Sequence, residues 1–160
     1  MTSSNKENQY YRQLIINHYS NPVNKGLLKT KNSLVFHHDH NSCVDDFYFE
    51  LTFDHDTIIN ARFEGIGCAI STAAIDIFAT LIINQTIKQV KNINHHYQAM
   101  LQGQKYHEKS LQDLVAFKNV IKQPNRIKCA LIVAEAINEI FLMQSKGIKD
   151  NKGKTNESRY

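Results

Sequence analysis

Phe47-Tyr48-Phe49-Glu50-Leu51-Thr52-Phe53, the link Asp54-His55-Asp56, and Ile59-Asn60-Ala61-Arg62-Phe63-Glu64 form the stretch on which the fold turns. Phe47, Phe49, Leu51 and Phe53 alternate with Tyr48, Glu50 and Thr52, and Ile59, Ala61 and Phe63 alternate with Asn60, Arg62 and Glu64. Successive side chains of a strand point to opposite faces, so this period of two predicts two strands that share one buried face. The short polar link predicts that they form an antiparallel hairpin.

Outward from the hairpin the period changes. Upstream, Tyr11, Leu14, Ile15, His18 and Tyr19 recur at helical spacing and predict a helix over residues 7–19. Asn21-Pro22 ends it, because the residue before proline disfavours the helical region. Residues 24–41 are polar and irregular, with a third strand around Ser33–Phe36. Downstream, Gly65-Ile66-Gly67 breaks the second strand. Helices are then expected over residues 71–83, 87–103 and 110–117, and a last one opened by Pro124 with Ala130, Ala134, Ile137 and Phe141 as its apolar stripe. Strands first and helices afterwards predict an α+β fold: a small antiparallel sheet of about three strands with helices packed on one face.

The 160 residues are 42% apolar, enough for one core, and two prolines and six glycines mark no second domain. The expected organisation is a flexible N-terminus over residues 1–8, a single domain over 9–145 and a basic flexible tail over 146–160 carrying Lys146, Lys149, Lys152, Lys154 and Arg159. The net charge is +4, but no basic stripe interleaved with aromatics runs through the body, which argues against nucleic-acid binding. No apolar run approaches the roughly 18 residues that span a bilayer. Met1–Asn8 carries no apolar signal core, so the expected location is the cytoplasm.

Three cysteines, Cys43, Cys68 and Cys129, are too few, too far apart and odd in number for a disulfide framework. Each falls at the expected boundary of an element. Cys68 and Cys129 lie near helix starts, where unpaired N–H groups and the dipole favour thiolate. If Cys43 begins a strand, Asp45 points to the same side. Three thiolates and a carboxylate suit zinc or iron. The same cysteines also read as small buried hydrophobes, since no C-x-x-C pair occurs. His37-His38-Asp39-His40 beside Cys43 reads as a solvated polar loop, and His95, His96 and His107 as surface residues. Arg126 is a candidate to anchor near a metal or pair with Asp45.

Longer words surround these cysteines. Tyr11-Arg12-Gln13-Leu14-Ile15, His18-Tyr19 and Asn21-Pro22-Val23-Asn24-Lys25-Gly26 resemble the opening of the U-type iron–sulfur cluster assembly proteins, the IscU/NifU-like family. Ala61 through Ser71 resembles that family's second cysteine motif, and Arg126-Ile127-Lys128-Cys129-Ala130 its third. Lys128 before the third cysteine and a long stretch around residues 100–114 resemble the SufU-type branch. The resemblance implies an IscU/NifU N-terminal-like fold and a Zn²⁺ site made by Cys43, Asp45, Cys68 and Cys129. It also implies that Cys43 accepts sulfur from a SufS-like cysteine desulfurase, with Asp45 and Arg126 in support. Downstream iron–sulfur assembly proteins or apo-protein acceptors follow as further partners. Where the family's first motif has C-G-D, this chain has Cys43-Val44-Asp45. Two other readings stand beside this one: a scaffold carrying a transient [2Fe–2S] cluster on the same ligands, and a non-catalytic interaction protein with inert cysteines.

Overall fold

The computed structural model describes residues 2–39 and 45–147. Its elements run α1 (Ser3–Ser20), β1 (Ser33–Asp39), β2 (Asp46–Asp54), β3 (Thr57–Ile66), α2 (Ala69–Ile82), β4 (Gln85–Thr86), α3 (Ile87–Leu101), α4 (Glu108–Leu111), a 3-10 helix (Gln112–Lys122) and α5 (Pro124–Ser145). The strands form one antiparallel sheet in the order β1-β2-β3-β4. The sheet therefore has four strands where the sequence pattern showed three. The fourth is two residues long, too short to display a period.

The hairpin forms as expected, turning at His55, whose φ is +56°. Phe47, Phe49, Leu51 and Phe53 are buried on its inner face. The inner face of β3 differs from the expected one. The register shifts between Thr52 and Phe53, so Phe53 pairs with Ile58. Ile58 is buried beside Ala61 and Phe63, and Ile59 is left 38% exposed. A bulge adds one residue to one strand and reverses the alternation beyond it. β3 also continues through Gly65, whose φ of +121° and close approach to the Asp46 carbonyl leave no room for a side chain.

α5 lies across β1 and β2 and α2 lies across β3, which puts the core between sheet and helices. Tyr97 on α3 fills its centre, edge-on to Phe78 at 5.3 Å and to Phe117 at 6.3 Å, and its hydroxyl donates to the Ala130 carbonyl at 2.7 Å. α1 rests on α2 and the 3-10 helix through half-buried Tyr11, Leu14, Ile15 and His18, whereas Tyr19 is exposed. It starts at Ser3, a turn earlier than its apolar spacing predicted, and Glu7 and Asn8 bond to Lys118 and Asn119. The helix expected over residues 110–117 is instead α4 followed by a 3-10 helix, and Gln112 between them has a φ of +47°.

Two buried carboxylates fasten the loop after α1. Asp76 of α2 accepts hydrogen bonds from His18 Nδ1 at 2.6 Å, the Val23 N–H at 3.1 Å and the Asn24 N–H at 2.9 Å. Glu50 of β2 accepts from the N–H groups of Leu28 and Lys29 at 2.8 and 2.7 Å. The Arg62 side chain donates to the Gly26 and Lys25 carbonyls. The loop also pairs with β3, the Gly26 N–H donating to the Phe63 carbonyl at 2.7 Å and the Phe63 N–H to the Asn24 carbonyl at 3.0 Å. His37 and His38 are not in a solvated loop. β1 runs on through them, and both are buried, with His37 stacked on Tyr48 at 4.0 Å and 2.6 Å from Asp46. Their register opposite Tyr48 and Phe47 carries β1 three residues beyond its expected end.

Candidate metal centre

Three element starts meet at one end of the sheet. Asp45 immediately precedes β2, Cys68 is the N-cap of α2, and Cys129 sits in the second turn of α5. One ligand atom from each lies within 4.8 Å of the other two. Asp45 is 1% exposed, and its Oδ1 accepts hydrogen bonds from the Cys68 N–H at 2.9 Å and from Ser71 Oγ at 2.8 Å. Ser71 also donates its N–H to Cys68 Sγ at 3.4 Å, the usual bond from N3 to an N-cap side chain. A buried carboxylate costs several kcal/mol unless it is hydrogen-bonded, so these bonds hold Asp45 in place against the helix start.

Cys129 corrects one expectation. Burial above all, then the neighbouring Cys68 and Asp45, push its thiol up to about 12. The helix dipole does not offset them. Pro124 opens α5, so Cys129 lies beyond the first turn, where the dipole's effect has faded. Groups that repel one another's charge at this range are what a divalent cation binds. The donor set of two thiols and a buried carboxylate fits zinc or iron(II), and not the all-oxygen preference of magnesium or calcium.

The structure thus brings Asp45, Cys68 and Cys129 together. Cys43, Val44 and His40 lie outside the described residues. Arg126 is exposed on the first turn of α5. Ser71 and Gly67 are parts of the site that the candidate residues left out. The spacing of Ser71, three residues after Cys68, is the signal that could have found it, because that is where an N-cap side chain finds its donor.

The chain is similar to known proteins over most of its length. The NifU-like N terminal domain model matches residues 10–130, and the chain belongs to that family. Over 130 residues it is 35% identical to the zinc-dependent sulfurtransferase SufU of Bacillus subtilis, covering 81% of this chain and 87% of that protein. It is 27% identical over 135 residues to the iron–sulfur cluster assembly scaffold protein IscU of Streptococcus pyogenes, covering 84% of each. A crystal structure of a putative iron–sulfur cluster assembly scaffold protein for the SUF system from Fervidobacterium islandicum superposes with a TM-score of 0.75 at 26% identity. That match covers 79% of this chain and 92% of that one. The fold is accordingly of the IscU/NifU N-terminal type.

Proposed function

We propose that this chain works in iron–sulfur cluster assembly as a zinc-dependent acceptor of persulfide sulfur from a SufS-like cysteine desulfurase. The observation that carries the reading is the convergence of Asp45, Cys68 and Cys129 within 4.8 Å at three element starts. The SufU relative, named for zinc-dependent sulfur transfer, supports it over the scaffold reading. Cys43 would complete the ligand set. One residue, Val44, separates it from Asp45, so its Cα lies within about 7 Å of the Asp45 Cα. No helix among the described residues is long and apolar enough to cross a membrane, and we place the activity in the cytoplasm.

Bound zinc would keep the site's thiols ionised at neutral pH. The residues supply the rest. Cys68 and Cys129 sit on helices and Asp45 is bonded to the α2 N-terminus, so these three form the fixed part of the site. Cys43, in the segment between β1 and β2, is the member whose thiolate leaves to react. It attacks the outer sulfur of the desulfurase persulfide. A new S–S bond forms to Cys43, the old one breaks, and the desulfurase cysteine departs as thiolate. The sulfur then passes to downstream iron–sulfur assembly proteins or apo-protein acceptors.

A desulfurase that cannot unload its persulfide stalls, so the test is alanine release from cysteine with a reductant present. Zinc-loaded wild type should accelerate it, Cys43→Ser should not, and Val44→Gly should do so at least as well as wild type. No stimulation by zinc-loaded wild type rejects the transfer role and favours assembly of a [2Fe–2S] cluster on the same residues. Equal stimulation by Cys43→Ser removes Cys43 as the acceptor.

A further inference from the structure

His95 and His96 lie in the second half of α3, and the following loop folds back so that the His107 ring stands beside that of His96. The turn is held by the Gln104 N–H on the Ala99 carbonyl at 2.9 Å and by the His107 N–H on His96 Nδ1 at 3.2 Å. The ring centres of His95 and His96 are 5.3 Å apart, and those of His96 and His107 are 5.7 Å apart. Zinc–imidazole bonds of about 2.0–2.1 Å put two rings that share one ion about 5 Å apart, centre to centre. We propose that His95, His96 and His107 form a second metal site, which takes a divalent transition ion through imidazole nitrogens and is separate from the thiol centre.

The charge of the cluster suits this role. Burial, then the neighbouring His95 and His107, hold the His96 pKa below the ordinary histidine range. A neutral imidazole keeps the lone pair that coordination needs. With imidazole donors only, the site selects zinc, nickel or copper and not magnesium or calcium. The separation from the thiol centre comes from helix geometry. Tyr97, the next residue, points into the core and bonds the Ala130 carbonyl, while His95 is exposed and His96 half-exposed.

Loading requires ring rotation, since among the described residues only Asp45, Cys68 and Cys129 have three ligand atoms within 4.8 Å of one another. His95 and His107 are exposed and free to turn. His96 must give something up. Its Nδ1 accepts the His107 N–H, so the neutral ring carries its proton on Nε2. Coordination through Nε2 moves that proton to Nδ1 and breaks the bond, a long one open to water. The shared ion would thereby replace that hydrogen bond as the link between His107 and α3, while the Gln104 N–H stays on the Ala99 carbonyl.

The test uses the full chain with its thiol centre already filled with zinc. Ni²⁺ is titrated in by calorimetry, and the histidine ring protons are followed by NMR. One further equivalent should bind, with selective broadening of three histidine signals. Affinity should fall about tenfold or more in His96→Ala and in His107→Ala. His107 is exposed, so His107→Ala keeps the test valid if His96→Ala disturbs the helix. His55→Ala, 94% exposed on the hairpin turn, should bind as wild type does. Absence of a further equivalent, unchanged affinity in both variants, or loss in His40→Ala instead would overturn the proposal.

Discussion

A methyl group on Gly67 would lie 2.4 Å from Asp45 Oδ1 and 2.5 Å from the Phe47 ring. Neither neighbour yields easily. Phe47 is 1% exposed in the core, and the Asp45 carboxylate is held by the Cys68 N–H and Ser71. Gly67→Ala should therefore push Asp45 out of place. We expect zinc affinity to drop about tenfold or more, as when groups supporting a ligand are lost. Competition with a chromophoric chelator measures this, and affinity equal to wild type would show that Asp45 does not depend on the turn. That Cys68, Cys129 and Asp45 stand at element starts was legible in the sequence. That Asp45 bonds the α2 N-terminus was not legible, because the contact joins residues 23 apart in the chain.

At the scale of elements, α2 is largely buried, and its one carboxylate organises the segment before the sheet. Asp76 is 0% exposed and receives His18, the Val23 and Asn24 N–H groups and the Asn24 side-chain amide. Asp76→Ala leaves those buried donors without an acceptor, and we expect a loss of about 3–5 kcal/mol. Urea unfolding checks it, and a loss below about 1 kcal/mol would mean that water replaces the carboxylate. Such a network joins residues more than 50 positions apart, beyond the reach of any periodicity. The elements that the sequence did reveal are the longer ones: the hairpin and the helices α1, α2, α3 and α5. Periodicity failed where the run is short or interrupted. The bulge at Thr52/Phe53 exchanged Ile58 for Ile59, Gln85–Thr86 is only two residues, and Gln112 broke a helix into α4 and a 3-10 segment.

Across the whole molecule, Asp45, Cys68 and Cys129 tie the starts of β2, α2 and α5 together at one end of the sheet. An ion shared by three such segments adds its binding energy to folding. Removing it with a chelator should clearly lower Tm, and an unchanged melting curve after verified metal loss would mean that the site does not hold the fold. The helices on the sheet bring these starts together, which is why the site belongs to the fold and not to a local metal-binding loop. The most direct test of that claim is elemental analysis of freshly purified protein, prepared without chelator, alongside Cys68→Ser and Cys129→Ser. The account predicts about one zinc per chain in the wild type, as for a four-ligand site, and loss of most of it in each variant. Wild-type protein with neither zinc nor iron, or zinc retained in full by both variants, would contradict it.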